Sequence, residues 1–321
     1  MEKQKYDIIG DIHGCHDKLL LLLTVLDYKL VDGCYRHPQG RKAAFLGDFI
    51  DPKGDIPHNV PAVLEIVKAM VDQKEAVAVM GNHEFNAVAH ATPDGNGGYL
   101  RPHLPNKDKG LKITLEAFKG GFDGQEWKGW IDWFKTLPFY LELDGLRLVH
   151  AYWNANAIKA LKGKTLKDHD FLIKAATKPI EDNMPRTEYN WVEDVLKGYE
   201  IPMPDGYTYL DHTGIERANF RARWFDPAPK GKKACDLVFP AGNYDIPAEP
   251  VPDETADLIP GYAQDKPPVF FGHYFKPENC PLEPELTNLA CLDYSVAKGG
   301  PMVAYRWDGE VKLTPEKYIA V

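Results

Sequence analysis

The chain has 321 residues, and 44% hydrophobic against 26% charged content is the balance of a globular protein with a sizeable core, not of a disordered chain. Its 38 Lys and Arg against 47 Asp and Glu give a formal charge of −9, which argues against a partner gripped along an extended phosphate backbone while leaving room for a local basic cleft. Five cysteines without a CxxC pair, no charged and then apolar leader, and no apolar run longer than Leu19–Leu23 make a reduced cytoplasm the expected setting, with no signal peptide and no membrane partner.

Five short apolar runs each end in residues of metal-ligand type. Tyr6–Ile9 leads into GDIHG at 10–14, Ala43–Leu46 into GDFID at 47–51 and Ala76–Met80 into GNHE at 81–84. Leu146–Val149 ends on His150, and Val269–Phe271 ends on GHY at 272–274. Runs of this length bounded by glycine predict buried strands. Between them, Asp17–Leu30 and Val60–Val71 read as crossover helices, the second with Val63, Ile66, Val67 and Met70 on one face. Residues 91–112, rich in Gly, Pro, Asn and Lys, read as an exposed loop. Trp127, Trp130 and Trp133 have helical spacing and read as core packing. Asp144–Gly145 predicts a hairpin turn, as does Asp308–Gly309 between Met302–Trp307 and Val311–Leu313. The proline-rich residues 225–268 read as a long loop or lid on one scaffold.

Each motif has a plain reading and a chemical one. In GDIHG, Asp11 and His13 are two apart and face the same side where a strand ends, although a helix-capping aspartate would look similar. GDFID puts Asp48 and Asp51 three apart, which is either a turn or a bridging carboxylate followed by one that orients a histidine. GNHE is more specific, because a buried strand that ends in Asn82 and His83 has no packing purpose. His150 and His273, taken singly, would pass as satisfied core histidines. Together Asp11, His13, Asp48, Asn82, His150 and His273 form a mixed oxygen and imidazole set, suited to Mn, Fe or Zn more than to Ca. Six ligands exceed one tetrahedral site with an open position and match two ions that share a carboxylate.

The series GDIHG, GDxxD, GNHE, VHA and GH resembles the calcineurin-like metallophosphoesterases. It is most similar to the branch that holds the serine/threonine phosphoprotein phosphatases and bacterial symmetrical diadenosine tetraphosphatase. The likeness runs through the closing stretch at 290–310 and includes the lack of a second histidine at Phe275. It implies an α/β fold, a four-layer α/β/β/α sandwich of two mixed β-sheets flanked by helices, as one domain over 1–321 with a cap or lid inserted at about 154–268. It implies that Asp11 and His13 hold a first divalent ion, that Asp48 bridges, and that Asn82, His150 and His273 hold a second. It also implies His83 as general acid, oriented by Asp51. The ions expected are two Mn, with Fe, Zn, Ni or Co as alternatives. Two such ions clamp attacking and leaving oxygens and activate a bridging water as hydroxide for direct attack on phosphorus.

The departures bear on substrate. Where the phosphoprotein phosphatases carry Gly-Asp-x-x-Asp-Arg-Gly, this chain has Pro52 and Lys53, and Met80 replaces an arginine before Gly-Asn-His-Glu. Tyr152 and Trp153 follow the Val-His-Ala. Losing two bidentate phosphate forks is not conservative. Arg221 and Arg223, with Lys53, are candidate replacements, the other reading being a solvated edge strand. Tyr152 could stack on a base, or pack beneath the insert. The expected function is a phosphomonoesterase acting on a phosphoprotein or a phosphorylated small molecule. The alternatives are a pyrophosphohydrolase of dinucleoside polyphosphates and a metal-binding protein without catalysis.

Overall fold

The computed structural model describes residues 3–321 apart from residues 54, 105–107, 180–184, 205, 211–215, 242–245 and 278. The chain opens with β1 (Tyr6–Ile9), all four residues buried, and turns into α1 (His16–Val25). This helix stops well short of the expected Leu30. Asp27 takes a left-handed backbone (φ 69°), and the chain returns as a hairpin of the exposed β2 (Lys29–Val31) and β3 (Cys34–Arg36), whose Cys34 is buried. Next come β4 (Lys42–Phe45), α2 (Val60–Asp72) and β5 (Ala76–Ala78). The Asn59 side chain caps α2 by accepting the Ala62 N–H, and Val63, Leu64, Val67 and Met70 are buried along it.

GNHE is not a strand end but the first turn of α3 (Asn82–Ala91). The expected loop at 91–112 is shorter than its composition suggested, because α3 runs to Ala91 and α4 (Lys109–Glu116) has already begun. In α5 (Gln125–Phe134) Trp127 and Trp133 are buried, as their spacing predicts. The first Asp-Gly hairpin forms as expected from β6 (Tyr140–Leu143) and β7 (Leu146–Val149).

The stretch after β7 is built, not loose. It carries α6 (Ala155–Ala160), α7 (His169–Ala176) and α8 (Glu188–Lys197). Four short strands follow: β8 (Glu200–Pro202), β9 (Tyr209–Leu210), β10 (Glu216–Arg217) and β11 (Asn219–Arg221). In the expected loop of 225–268 lie α9 (Ala234–Leu237) and α10 (Asp253–Ala256). Ile201, Phe220, Leu237, Val251 and Ile259 give this stretch a small core cluster of its own. The chain closes with β12 (Val269–Phe271), β13 (Leu289–Cys291), β14 (Val303–Trp307) and β15 (Tyr318–Ala320). The second Asp-Gly hairpin does not form over 311–313. β14 pairs instead with β15, Tyr305 opposite Tyr318, while Leu313 donates its N–H to Thr287 and plugs the core.

Two mixed sheets result, one in the order β15-β14-β1-β4-β5 and the other β13-β12-β7-β6. Ile8, Leu46, Leu148, Phe270, Leu292 and Trp307 fill the space between them. On the outer face of the first sheet, Ile9 and Phe45 join one cluster with α1 and α2. On that of the second, Val149 and Phe271 pack with Tyr152, Val195 and Trp224. The expected α/β/β/α layering is therefore present. Parallel pairing fixes the site: Ile9 is level with Phe45, and Phe270 with Leu148, so Asp11, Asp48, His150 and His273 emerge along one edge.

Candidate active site

Asp48 leaves β4 at a point where two loops touch backbone to backbone. A Cβ on Gly47 would lie 2.4 Å from the Gly81 nitrogen, and one on Gly81 would lie 2.2 Å from an Asp48 carboxylate oxygen, so neither position admits a side chain. The buried Glu84 clamps the junction by accepting the N–H groups of Asp48 (2.9 Å), Phe49 (2.8 Å) and Gly81 (3.0 Å). The first turn of α3 then faces Asp48, whose carboxylate accepts the His83 N–H at 3.0 Å. His13, Asp48, Asp51, His273, Phe275 and Ser295 all have positive φ and all line one cleft. Left-handed backbone at that many side-chain-bearing residues is strain concentrated where function needs it.

The imidazoles are oriented for ligation. His13 Nδ1 lies 2.9 Å from the Ile50 carbonyl, and His150 Nδ1 lies 2.7 Å from the Leu46 carbonyl. A carbonyl only accepts, so each Nδ1 carries the hydrogen and Nε2 is directed at the cluster. His150 Nε2 is 3.0 Å from Asn82 Oδ1 and 3.3 Å from Asp48 Oδ2, and His273 Nδ1 is 2.7 Å from the same Asn82 oxygen. These are lone pairs that converge with only a proton or a cation able to hold them together. His273 Nε2 is buried without a hydrogen-bond partner among the described residues. The ligand atoms of His13, Asp48 and His83 lie within 4.8 Å of one another, as do those of Asp48, His150 and His273. Asp48 is the shared member. Asp11 lies beside the first group, 4.0 Å from His13, and accepts the His273 N–H at 3.1 Å.

The electrostatics separate the carboxylates. Burial pushes the Asp11 carboxyl well above the usual range, with Asp293 and Asp48 adding to it. Asp48 is equally buried, yet the charges of His150, His83 and His13 outweigh burial and hold it well below that range. Burial, then Asp48, raises Glu84 to about 7. A divalent cation placed between these groups would offset their negative charge.

His83 belongs to the first group by position, but it differs from the other histidines in its partner. Its Nδ1 is 2.7 Å from Asp51 Oδ2, and its side chain is 32% exposed toward the cleft. Burial would lower its pKa, but Asp48 and Asp51 more than offset this and push it up to about 9. Thr114 on α4 donates its hydroxyl to the other Asp51 oxygen (2.9 Å) and accepts the Asp51 N–H (2.9 Å). One turn earlier, a Cβ on Gly110 would lie 2.9 Å from Asp51 Cβ, so the missing side chain lets α4 come this close.

The cleft has a volume of about 700 Å³. The core contributes Asp11, His13, Asp48, Asn82 and His273, together with His83, Asp51, Lys53, Asp293 and Lys298, while His150 lies buried behind them, and the 154–268 stretch contributes Tyr189, Tyr209 and Arg221 among others. Two of the expected substrate contacts fall elsewhere. Arg223 lies over the Phe225 ring at 5.3 Å, and Tyr152 is buried against Tyr199 and Trp224. Sequence reading missed Thr114, Glu84, Asp293 and Lys298. Glu84 was visible as the last residue of GNHE, and Asp293 and Lys298 lay in the closing stretch, whereas Thr114 carried no signal.

The fold and the cluster define the class: a four-layer α/β/β/α protein with a histidine and carboxylate metal-type centre at the strand ends. The sequence model of the calcineurin-like phosphoesterases matches residues 5–273, and the chain belongs to that family. Among characterised proteins it is 47% identical over 79 residues to the asymmetrical bis(5'-nucleosyl)-tetraphosphatase PrpE of Halalkalibacterium halodurans, covering 25% of this chain and 30% of that protein. It is 32% identical over 151 residues to the PrpE of a Geobacillus species, covering 46% of this chain and 56% of that protein. The chain thus spans less than two thirds of these relatives' lengths. A solved serine/threonine phosphatase of Saccharomyces cerevisiae superimposes with TM-score 0.42 and 12% identity, over all of this chain and 80% of that one.

Proposed function

We propose that this protein is a metal-dependent phosphoester hydrolase that cleaves dinucleoside polyphosphates. The observation that carries the metal-dependent part is Asp48, common to two clusters of converging ligand atoms. The substrate class is supported by the names of the PrpE relatives and by a cleft roomy enough for more than one phosphate. Asp11, His13 and Asp48 would hold a first divalent ion, and Asp48, Asn82, His150 and His273 a second, Mn being the first choice for this donor set. When bound, two such ions supply Lewis-acid charge and an activated water.

The remaining work falls to the chain. Asp51 accepts the His83 Nδ1–H and holds the ring so that Nε2 faces the cleft. Protonated, that Nε2 can donate to the departing oxygen. Arg221 and the cleft lysines neutralise phosphate oxygens in place of the family arginines absent at Pro52 and Met80. One observation favours a second reading, a phosphomonoesterase: a protonated imidazole paired with a carboxylate suits a poor alkoxide leaving group. The same pair argues against a protein that merely binds metal, since binding has no use for a positioned acid.

Purified protein loaded with Mn should be assayed on diadenosine tetraphosphate, a phosphopeptide and p-nitrophenyl phosphate. The expected result is a kcat/KM for the dinucleotide at least tenfold above either monoester. A phosphopeptide ahead of the dinucleotide would turn the assignment to phosphomonoesterase. No turnover of any of the three would remove the catalytic reading.

A further inference from the structure

Asp293 lines the cleft just past the end of β13, yet it is only 4% exposed and is neither a candidate ligand nor part of the His83 pair. Its carboxylate is spent on backbone. One oxygen accepts the Phe275 N–H at 2.5 Å, and the other accepts the Ser295 N–H at 2.9 Å. Its carbonyl accepts the Lys276 N–H at 2.9 Å, and the Ser295 hydroxyl donates to the Lys276 carbonyl at 2.8 Å. The loop after β12 and the loop after β13 are thereby stitched together.

Both residues held by the carboxylate have left-handed backbone, Phe275 at φ 33° and Ser295 at φ 62°. Residues with side chains keep that conformation only where neighbours impose it. His273, two residues before Phe275, is a third case (φ 70°), and its N–H goes to Asp11 at 3.1 Å. The loop that carries His273 is therefore fixed by Asp11 at one point and by Asp293 at the next. Glu84 treats the Asp48 loop in the same way, with three backbone N–H groups on one buried carboxylate. The two contacts of Asp293 also converge on Lys298. Ser295 precedes the short 3₁₀ turn Val296–Lys298, and its carbonyl accepts the Lys298 N–H at 2.7 Å. The Lys298 Nζ rests over the Phe275 ring, 4.3 Å from its centre. One carboxylate thus sets both the backbone from which Lys298 extends and the aromatic face that seats its ammonium.

We propose that Asp293 is a positioning residue that fixes two functional groups at once: His273, a ligand of the second ion, and Lys298, a cation for a substrate phosphate. The proposal rests on the phosphoester hydrolase reading for what those two groups do, and deepens it by naming the residue that keeps ion and anion in register.

The test is calorimetric titration of the metal-free protein with Mn and of the Mn-loaded protein with orthophosphate, beside Tm in EDTA. Asparagine at 293 keeps the shape but has one acceptor oxygen, so its NH2 must face one of the two N–H groups. Asp293→Asn should weaken Mn by about tenfold or more with two ions still bound at saturation, the loss typical of a group that orients a ligand. Lys298→Ala should weaken orthophosphate about tenfold in the parent. In the Asp293→Asn background it should cost less than about twofold, because the ammonium has already lost its seat. A Tm in EDTA that falls while Mn and orthophosphate bind as in the parent would make Asp293 a structural tie and overturn the role. Outright loss of one ion, with Lys298→Ala keeping its full effect, would make Asp293 a ligand and overturn it too. Should Asp293→Asn fail to fold, Phe275→Leu removes the ring and keeps the backbone N–H. It should weaken orthophosphate as Lys298→Ala does with Mn affinity unchanged, and parental orthophosphate binding there would overturn the Lys298 half. Turnover of diadenosine tetraphosphate by the parent is scored separately: no turnover with this binding pattern intact removes the hydrolase reading and leaves the positioning role.

Discussion

His83 shows how much a single side chain depends on neighbours that have no chemistry of their own. Its Nδ1–H is committed to Asp51, and Asp51 is in turn held by the hydroxyl of Thr114. His83→Asn should lower kcat on an alkyl phosphate by about 10²–10⁴ and cost much less on p-nitrophenyl phosphate, whose leaving group needs no proton. Thr114→Val leaves one Asp51 oxygen and the Asp51 N–H unpaired, at a cost of about 1–3 kcal/mol each. It should reproduce the leaving-group pattern in weaker form, and Thr114→Ser should restore it. A purely structural Thr114 would lower both substrates alike. The acid works only while protonated, so turnover of poor leaving groups should fall as pH rises. Bound cations offset the Asp48 charge, so the midpoint should lie above the ordinary 6.5 and below about 9.

At the scale of elements, β11 decides which of two nearby arginines can serve the cleft. In a continuous strand, residues two apart point the same way, so Arg221 and Arg223 look equivalent in the sequence. The strand ends at Arg221, and beyond it Arg223 donates its N–H to the Leu237 carbonyl and turns its guanidinium onto Phe225. Arg221→Ala should lower kcat/KM more than tenfold with metal content unchanged, while Arg223→Ala should stay within about threefold, the factor expected where a charge-assisted contact of about 1.5–3 kcal/mol is absent. A large loss in Arg223→Ala would show that the insert moves this strand when substrate binds.

The molecule as a whole carries a cluster of buried acids, and its stability should report on the ions. Glu84, with an ordinary value of 4.5, is raised to about 7, and Asp11 is raised as well. In chelator the folded protein therefore keeps protons that the unfolded chain has released, so this contribution is present below about pH 4.5 and is lost as pH rises through about 7. Thermal unfolding in EDTA should fall over that window. Mn at a hundredfold excess over its Kd should add about 2.7 kcal/mol per site. For a chain of this size that corresponds to a Tm higher by about 4 °C or more at pH 7.5. Asp48→Asn should lose most of this gain and most of the bound metal. An equal gain in that variant would place the ions elsewhere.

The five strands, the second crossover helix, the β6–β7 hairpin and the candidate ligands were legible in the sequence because strand ends and glycine-bounded turns are local. Singly each motif passes for a turn or a cap, but apolar runs that stop in series at Gly-Asp, Gly-Asp and Gly-Asn-His-Glu have few other meanings. What the sequence left open depended on pairing at a distance. The end of α1 rests on a left-handed Asp27, and the last hairpin on β15 outcompeting 311–313 for the edge of β14. Residues 225–268 looked loose because their apolar residues follow no period. They are packed because those residues meet others from β8 and β11. Likewise only the tertiary structure could bring Thr114 to Asp51, 63 residues earlier, or set Lys298 over the Phe275 ring. Sequence alone determined which candidate ligands gather along the edge where the strands end. Which charges surround it was decided by helices and loops whose contacts leave no periodic trace.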